Sequence, residues 1–511
     1  MNTREGAPHA DSAPVADGSD HVLAAGDAGG KVIRGGSLRA IASVVGLLVG
    51  ALTAPLVIRY LGPTEFGRLA VVQSLVTIVT AIIEGGLANV AIRRYALADP
   101  AGRDRLIRNL LGLRVLGVAL GACIAIGYAL LAGFDRTLVL GTGIGMFGLA
   151  VNAWQNALVT PLNADLRLGA SAAVDLVRTT TAGVVQVTLV LVGAALLPFY
   201  ATVGIAGVVA LVVTIRLTRR DVRPVPRFDL DVWGVLLRET GIYALATALG
   251  AMYFQIAVQA VKLLSTEREV GDYSVAFRVV EIGNTLPWLI AGSVFPVLSH
   301  AVEFDRARLR YVLGRSLESA LLIGLGFGVG VCAGAVVAID VIGGSDARES
   351  VGVLRLVALA VPATYLVAVG SFALLALRRT RAILVCNLLA VTVAMAASAT
   401  LVGPLGAEGA ALTTVAVEWV LGLAYLVALR RVDPGLGVGI SVVARLMVVV
   451  AIAGAAGVAA TAAGMPAFPA LVVTMAVFAL AAVMLRVIPP EVAMALRERF
   501  GRTAPDGQEL P

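Results

Sequence analysis

A short polar turn, Gly62-Pro63-Thr64-Glu65, separates two apolar stretches, and the second of these ends on the paired cations Arg93 and Arg94. Each stretch is long enough to cross a bilayer, since about 20 helical residues span about 30 Å of hydrocarbon. Lipid offers the backbone no hydrogen-bond partners, so continuous apolar runs of this length fold as helices. Arg59 to Arg94 therefore reads as a membrane hairpin with an outer turn and a basic inner end. It also holds Gln73, Ser74, Thr77, Thr80 and Glu84. These are too polar for a helix surrounded by lipid, and part of the hairpin is expected to face protein or water.

The rest of the chain elaborates the hairpin. Apolar runs bounded by charge, Pro or Gly predict an all-α polytopic membrane protein of about fourteen helices. They fall at 37–59, 67–90, 106–132, 138–161, 171–196, 200–218, 233–261, 271–298, 311–339, 350–377, 381–402, 407–429, 438–462 and 468–487. A mean hydropathy of +0.92 excludes an ordinary soluble protein. The charge pattern supports the count: alternate connections, with their flanking turns and the two tails, carry 28 of the 40 Lys and Arg, and the opposite connections carry 7. By the positive-inside rule both termini are cytoplasmic. Residues 1–34 are rich in Ala, Gly, Asp and Ser and read as a disordered tail without an apolar leader segment; 489–511 read as a C-terminal tail. Cys123, Cys332 and Cys386 lie far apart within apolar runs, which indicates packing and not a disulfide framework or a zinc site. Three histidines, two of them in the tail, exclude a His-based triad and a metal centre.

The sequence also repeats. Glu65, Phe66 and Gly67 fall on Glu269, Val270 and Gly271 at an offset of 204, each set opening a helix after a polar turn. An even number of crossings separates them, so the two copies share one orientation. This predicts two six-helix lobes, 35–219 and 233–431, about an axis along the membrane normal, with a cavity between them. A basic, Pro-rich cytoplasmic linker (220–232) joins the lobes, and a helix pair (432–488) lies outside them.

The stretch IRYLGPTEFGRLAVVQSLVTIV, followed by IIEGGLANVAIRRYA, resembles the first hairpin of the bacterial polysaccharide-exporting flippases. These form the O-antigen-translocase-like branch of the multidrug/oligosaccharidyl-lipid/polysaccharide exporter superfamily. Ala347 to Leu356 (ARESVGVLRL) and Gly403 to Ala411 (GPLGAEGAA) agree with it. The resemblance implies a two-lobed, fourteen-helix transporter of the bacterial inner membrane. Its substrate would be an undecaprenyl-diphosphate-linked oligosaccharide, moved from the inner to the outer leaflet.

Charge within the bilayer is costly, so every ionisable residue there is a functional candidate. Asp175 and Arg178, Arg278 and Glu281, and Arg315 and Glu318 are each three apart on one helical face, and each is either a self-neutralising pair or a site. Arg278 lies about 10 Å below Gly271 along its helix, a depth that suits a cavity better than snorkelling. Arg114 has no acid within four residues; Glu84 and Glu418 have no cation. Such carboxylates are either protonated and silent, or they exchange a proton or bind Na+. Arg278, Arg114 and Arg178 are candidate anion-binding groups, because the guanidinium keeps its charge and presents a fork of donors to phosphate. Gln73, Ser74, Gln255, Gln259 and Asn284 either line a polar cavity or join helices. Glu84, Glu281, Glu418 and Asp175 are candidates for ion coupling, with Na+, H+ and the membrane potential all open as the energy source.

Three other functions compete. A multidrug cation exporter would favour an acidic cavity, whereas Arg114 and Arg278 favour an anion. A polysaccharide polymerase or ligase needs a catalytic outer loop. The longest outer link, about Asp340 to Glu349, holds Asp340, Asp346, Arg348 and Glu349 but no nucleophile–base set. A passive scaffold would have a closed, apolar interior. No phosphate-binding loop is present, so transport is expected to be secondary. The expected partners are the lipid-linked glycan, membrane lipids, a polymerase and export machinery, and no nucleic acid.

Overall fold

The computed structural model describes residues 28–488, and every helix or strand assigned there is a helix. The N-terminal half comprises α1 (Ala28–Glu84), α2 (Leu87–Leu97), α3 (Pro100–Leu131), α4 (Arg136–Ala164), α5 (Leu168–Leu191), α6 (Leu196–Tyr200) and α7 (Thr202–Thr218). The C-terminal half comprises α8 (Leu230–Leu264), α9 (Glu267–Gly283), α10 (Thr285–Phe304), α11 (Arg306–Ala333), α12 (Ala335–Ile342), α13 (Ser350–Ala358), α14 (Val361–Ala376) and α15 (Thr380–Val432). α16 (Ile440–Ala462) and α17 (Ala467–Met484) follow. The tails expected at 1–34 and 489–511 lie outside the described residues, except that 28–34 already belong to α1.

Eleven helical segments are long and apolar enough to span a membrane, or twelve if α13 and α14, bent by 42°, form one broken span. The expected fourteen is reached only by counting two very long segments twice. Both of these fold back on themselves at a glycine. α1 turns at Gly62 (φ 73°) and α15 at Gly406 (φ 52°), left-handed conformations that other residues adopt only with strain. Pro63 and Pro404 flank these turns.

Several helix starts are written as caps. The side chains of Asp99, Asp135, Asp229, Thr266 and Asp305 each accept a hydrogen bond from a backbone N–H of the turn that follows. Four expected single helices are interrupted, the first of them, 67–90, at Gly85 and Gly86. The one at 271–298 breaks at Asn284: Pro287 has no N–H to give to the Gly283 carbonyl four residues earlier. Pro362 does the same to Ala358 within 350–377, and 311–339 breaks at Gly334.

The first arm of α1 packs on α5; its second arm packs on α8 and α9, joining the two halves. α4 packs on α3 and α7, α8 on α15, and α14 on α10, α11 and α15. α16 and α17 pack on each other and on α11. The halves approach closely at Gly67 and Gly271, where a Cβ on Gly67 would lie 2.6 Å from the Gly271 nitrogen. A Cβ on Gly271 would overlap the Pro63 carbonyl. Positions matched by the internal repeat thus touch backbone to backbone.

Candidate functional site

Below the glycine contact lies a polar cavity of about 130 Å³, walled by both arms of α1 and by α5, α8 and α9. Gln73, Ser74, Gln255, Arg278 and Glu281 line it, as does Thr77. Gln186 of α5 also lines it, a residue the sequence reading did not single out. Arg278 Nη1 donates to Glu281 Oε2 at 2.6 Å, and both side chains stay well exposed, at 36% and 49%. A charge pair one helical turn apart is thus presented to the cavity and not sealed within packing.

Above the cavity, ion pairs frame the glycine seam. Arg68 of α1 pairs with Asp135, the cap of α4, and lies 3.7 Å from Glu267 at the start of α9. Against the burial that raises it, the Arg68 guanidinium holds the Asp135 carboxyl below its ordinary value. Arg59 donates to the Asp340 carbonyl across the halves at 2.7 Å. At the other end of the hairpin Arg94 Nε donates to Glu239 Oε2 at 3.0 Å, again joining the halves.

The other candidates separate into different environments. Arg114 is 1% exposed, and its Nη2 donates to Glu84 Oε2 at 2.6 Å, while its Nη1 donates to the Ala153 carbonyl. Asn156 Nδ2 donates to the other Glu84 oxygen at 3.4 Å. Arg114 and Glu84, neither of which has a counter-charge within four residues in the sequence, are thus each other's counter-ion within the N-terminal half. Gln259 donates to the Val71 carbonyl and Ser74 and accepts from Tyr128, so it ties α8 to α1 and α3. Asn284 sits at the α9–α10 break with its Oδ1 buried and unpartnered among the described residues. Asp175 and Arg178 pair at 3.5 Å, half-exposed, on α5. Asp175 is three turns from Gln186, so it shares the cavity-facing side about 16 Å further along. Glu418 is 1% exposed in the C-terminal half, accepting from Tyr253 at 3.0 Å through one oxygen and leaving the other without a described partner. A larger groove of about 680 Å³, walled by residues such as Leu75, Ile82, Leu237 and Met395, has no charged residue in its lining and offers an anion no counter-charge.

The family model described as a polysaccharide biosynthesis protein matches residues 56–352, more than half of the chain. The chain belongs to this family. No curated protein matches it. Among solved structures, a lipid II flippase MurJ in an inward closed conformation is similar at TM-score 0.71 and 13% identity, over 88% of this chain and 99% of that one. An inward-facing multidrug resistance MATE family transporter of the MOP superfamily is similar at TM-score 0.62 and 12% identity, over 76% and 95%. An outward-facing MATE family transporter gives 0.54 at 14% identity, over 79% and 96%. This polysaccharide biosynthesis family member thus has the all-helical membrane fold shared by MurJ and the MATE transporters.

Within that fold the Glu84–Arg114 pair makes a stability prediction. Removing one partner of a buried pair strands the other charge and costs about 3–5 kcal/mol, whereas replacing both by packed groups is close to neutral. Glu84→Gln is expected to lower the detergent-solubilised melting temperature clearly, and Glu84→Gln with Arg114→Met to restore most of it. Additive losses in the double variant would show that the two residues are not one unit.

Proposed function

We propose that this protein is a secondary transporter that flips a polyprenyl-diphosphate-linked oligosaccharide from the inner to the outer leaflet for cell-surface polysaccharide export. The observation that carries the reading is Arg278, exposed in a polar cavity between the halves and about 10 Å from the seam at Gly271. A diphosphate cannot cross hydrocarbon bare, and a guanidinium at that depth compensates it. Gln73, Thr77, Gln186 and Gln255 give the glycan hydroxyls partners, and the polyprenyl tail stays in lipid. In this reading the lobes at 35–219 and 233–431 rock about the seam, and Glu281, Asp175 and Glu418 are the remaining candidates for coupling to Na+ or H+. A polymerase and export machinery would take up the product.

Family membership favours a glycan over the cationic drug of a multidrug exporter, and so does the lining, where Glu281, the one acid among the described lining residues, already has a cation. An enzymatic reading finds no support in the longest outer link. There Asp340 faces Arg348 at 3.4 Å, and Glu349 faces Arg268 at 3.2 Å. Depletion of the protein is expected to accumulate diphosphate-linked repeat units on the cytoplasmic side of the membrane. Unchanged lipid-linked pools, together with raised sensitivity to cationic compounds, would support the multidrug exporter instead.

Orientation has its own test. Reporters fused after Arg220 and Arg379 are expected to report cytoplasm, and those near Gly133 and Ser345 the outside. A cytoplasmic signal at Ser345 would break the assignment.

A further inference from the structure

The segment between α7 and α8 is more than a linker. Its backbone is fastened along α3: the Arg227 N–H donates to the Arg108 carbonyl at 2.8 Å, and Arg108 Nε donates to the Val225 carbonyl at 3.1 Å. The Arg223 N–H donates to Asp104 Oδ1 at 3.0 Å, and Trp233 Nε1 donates to the Asn109 carbonyl at 2.9 Å. Gly112 admits the Arg227 carbonyl so closely that a Cβ there would collide with it, and Val222 is buried beneath. The segment is thus a fixed strap, held against the turns where the span expected at 106–132 enters the bilayer.

What the strap displays contrasts with how firmly it is held. Arg216, Arg219, Arg220, Arg223 and Arg227 are all exposed, and their side chains make no hydrogen bond or ion pair among the described residues. Neighbouring arginines are engaged: Arg94 with Glu239, Arg105 with Asp229 and Arg167 with Asp221. Beside the free arginines stand exposed Val225, Phe228 and Leu230. Unpaired cations interleaved with exposed apolar side chains at the depth of the bilayer surface are the signature of a segment that lies in an anionic interface.

We propose that this strap is a binding site for the phosphate headgroups of anionic phospholipids in the inner leaflet. Arg216, Arg219, Arg220, Arg223 and Arg227 are its cationic ligands, and Val225 and Phe228 dip among the acyl chains. Its arginines need no conformational change to meet a headgroup, because the backbone is already pinned to α3. The bound lipid in turn holds the connection between the two halves of the transporter to the membrane surface. The site is independent of the cavity and of the transported substrate.

The test uses the full chain in nanodiscs of phosphatidylcholine with or without phosphatidylglycerol. Arg219→Gln, Arg220→Gln, Arg223→Gln and Arg227→Gln combined are expected to lower the phosphatidylglycerol retained in native mass spectrometry at least about tenfold, since each surface arginine contributes about fivefold. Neutralising Arg378, Arg379 and Arg381 on another inner connection, where Arg378 is already held by Glu303 at 3.1 Å, is expected to cost several-fold less than the strap variant. Equal losses in the two variants would reduce the strap to general inward positive charge and overturn the site. Should the strap variant fail to insert, arginine-specific labelling of the wild-type protein decides. The strap arginines are expected to be protected by phosphatidylglycerol and reactive in phosphatidylcholine alone; equal reactivity in both would sink the proposal. Equal protection by soluble pyrophosphate in phosphatidylcholine would reassign the strap to the diphosphate of a substrate and overturn the phospholipid assignment.

Discussion

Replacing Arg278 with Ala is expected to lower transport of a lipid-diphosphate glycan about a hundredfold while the folded protein stays at its normal level. A charge-assisted hydrogen bond contributes about 1.5–3 kcal/mol, and 1.4 kcal/mol is about tenfold in rate, so a two-pronged phosphate contact supports a loss of that size. Expression should hold because Arg278 is exposed in a cavity and its removal leaves no buried charge stranded; Glu281 is half-exposed too. Arg278→Lys should keep part of the activity, since the charge survives while the fork is lost. Glu281→Gln frees the arginine and should tighten anion binding while slowing release. If the pair is purely structural, both single variants lose protein level and the swapped double variant, Arg278→Glu with Glu281→Arg, recovers transport. Reconstituted vesicles and a lipid-diphosphate assay separate the patterns. Full transport by Arg278→Ala would remove the residue from the mechanism.

The second large effect concerns the seam. Gly271→Val places a side chain where the Pro63 carbonyl already sits, and no rotamer change relieves an overlap with backbone. The two halves should then be unable to meet at this end, leaving the cavity open on the side of the Gly62 turn. A cysteine at Gln73, in a background without Cys123, Cys332 and Cys386, should become reactive to an impermeant outer reagent in Gly271→Val and stay protected with Gly271 intact. Transport should fall to background. Unchanged protection would show that closure does not pass through this contact.

Features carried by chain-local physics could be read from the sequence. The hairpin turn announces itself because Gly62 and Pro63 stand between two apolar runs, and the match of Gly67 with Gly271 survives because neither position accepts a side chain. The Arg278–Glu281 pair is legible because both members lie on one turn of one helix. The Arg114–Glu84 pair is not: the partners are 30 residues apart, and a search of four residues either way cannot reach the next helix. Gln186 is not legible because a lone glutamine in the apolar run 171–196 looks the same whether it faces a cavity or a neighbouring helix. The break at Asn284 did leave a signal, Gly283 followed four residues later by Pro287, but the apolar run continues across it and hydropathy alone does not register a lost hydrogen bond. Tertiary placement decided the rest. Glu418 looks equally bare in sequence whether it faces water or a tyrosine.

The seam at Gly67 and Gly271 holds no side chain. Nothing in it can ionise, oxidise or exchange a counter-ion, so its fit does not depend on the acidity or salinity of the medium, while the pairs that Arg68 forms beside it weaken as ionic strength rises. Such a seam is also mutationally mute. Every substitution obstructs it and none refines it, so a lineage can adjust how readily the two halves part only through the charged residues around the rim.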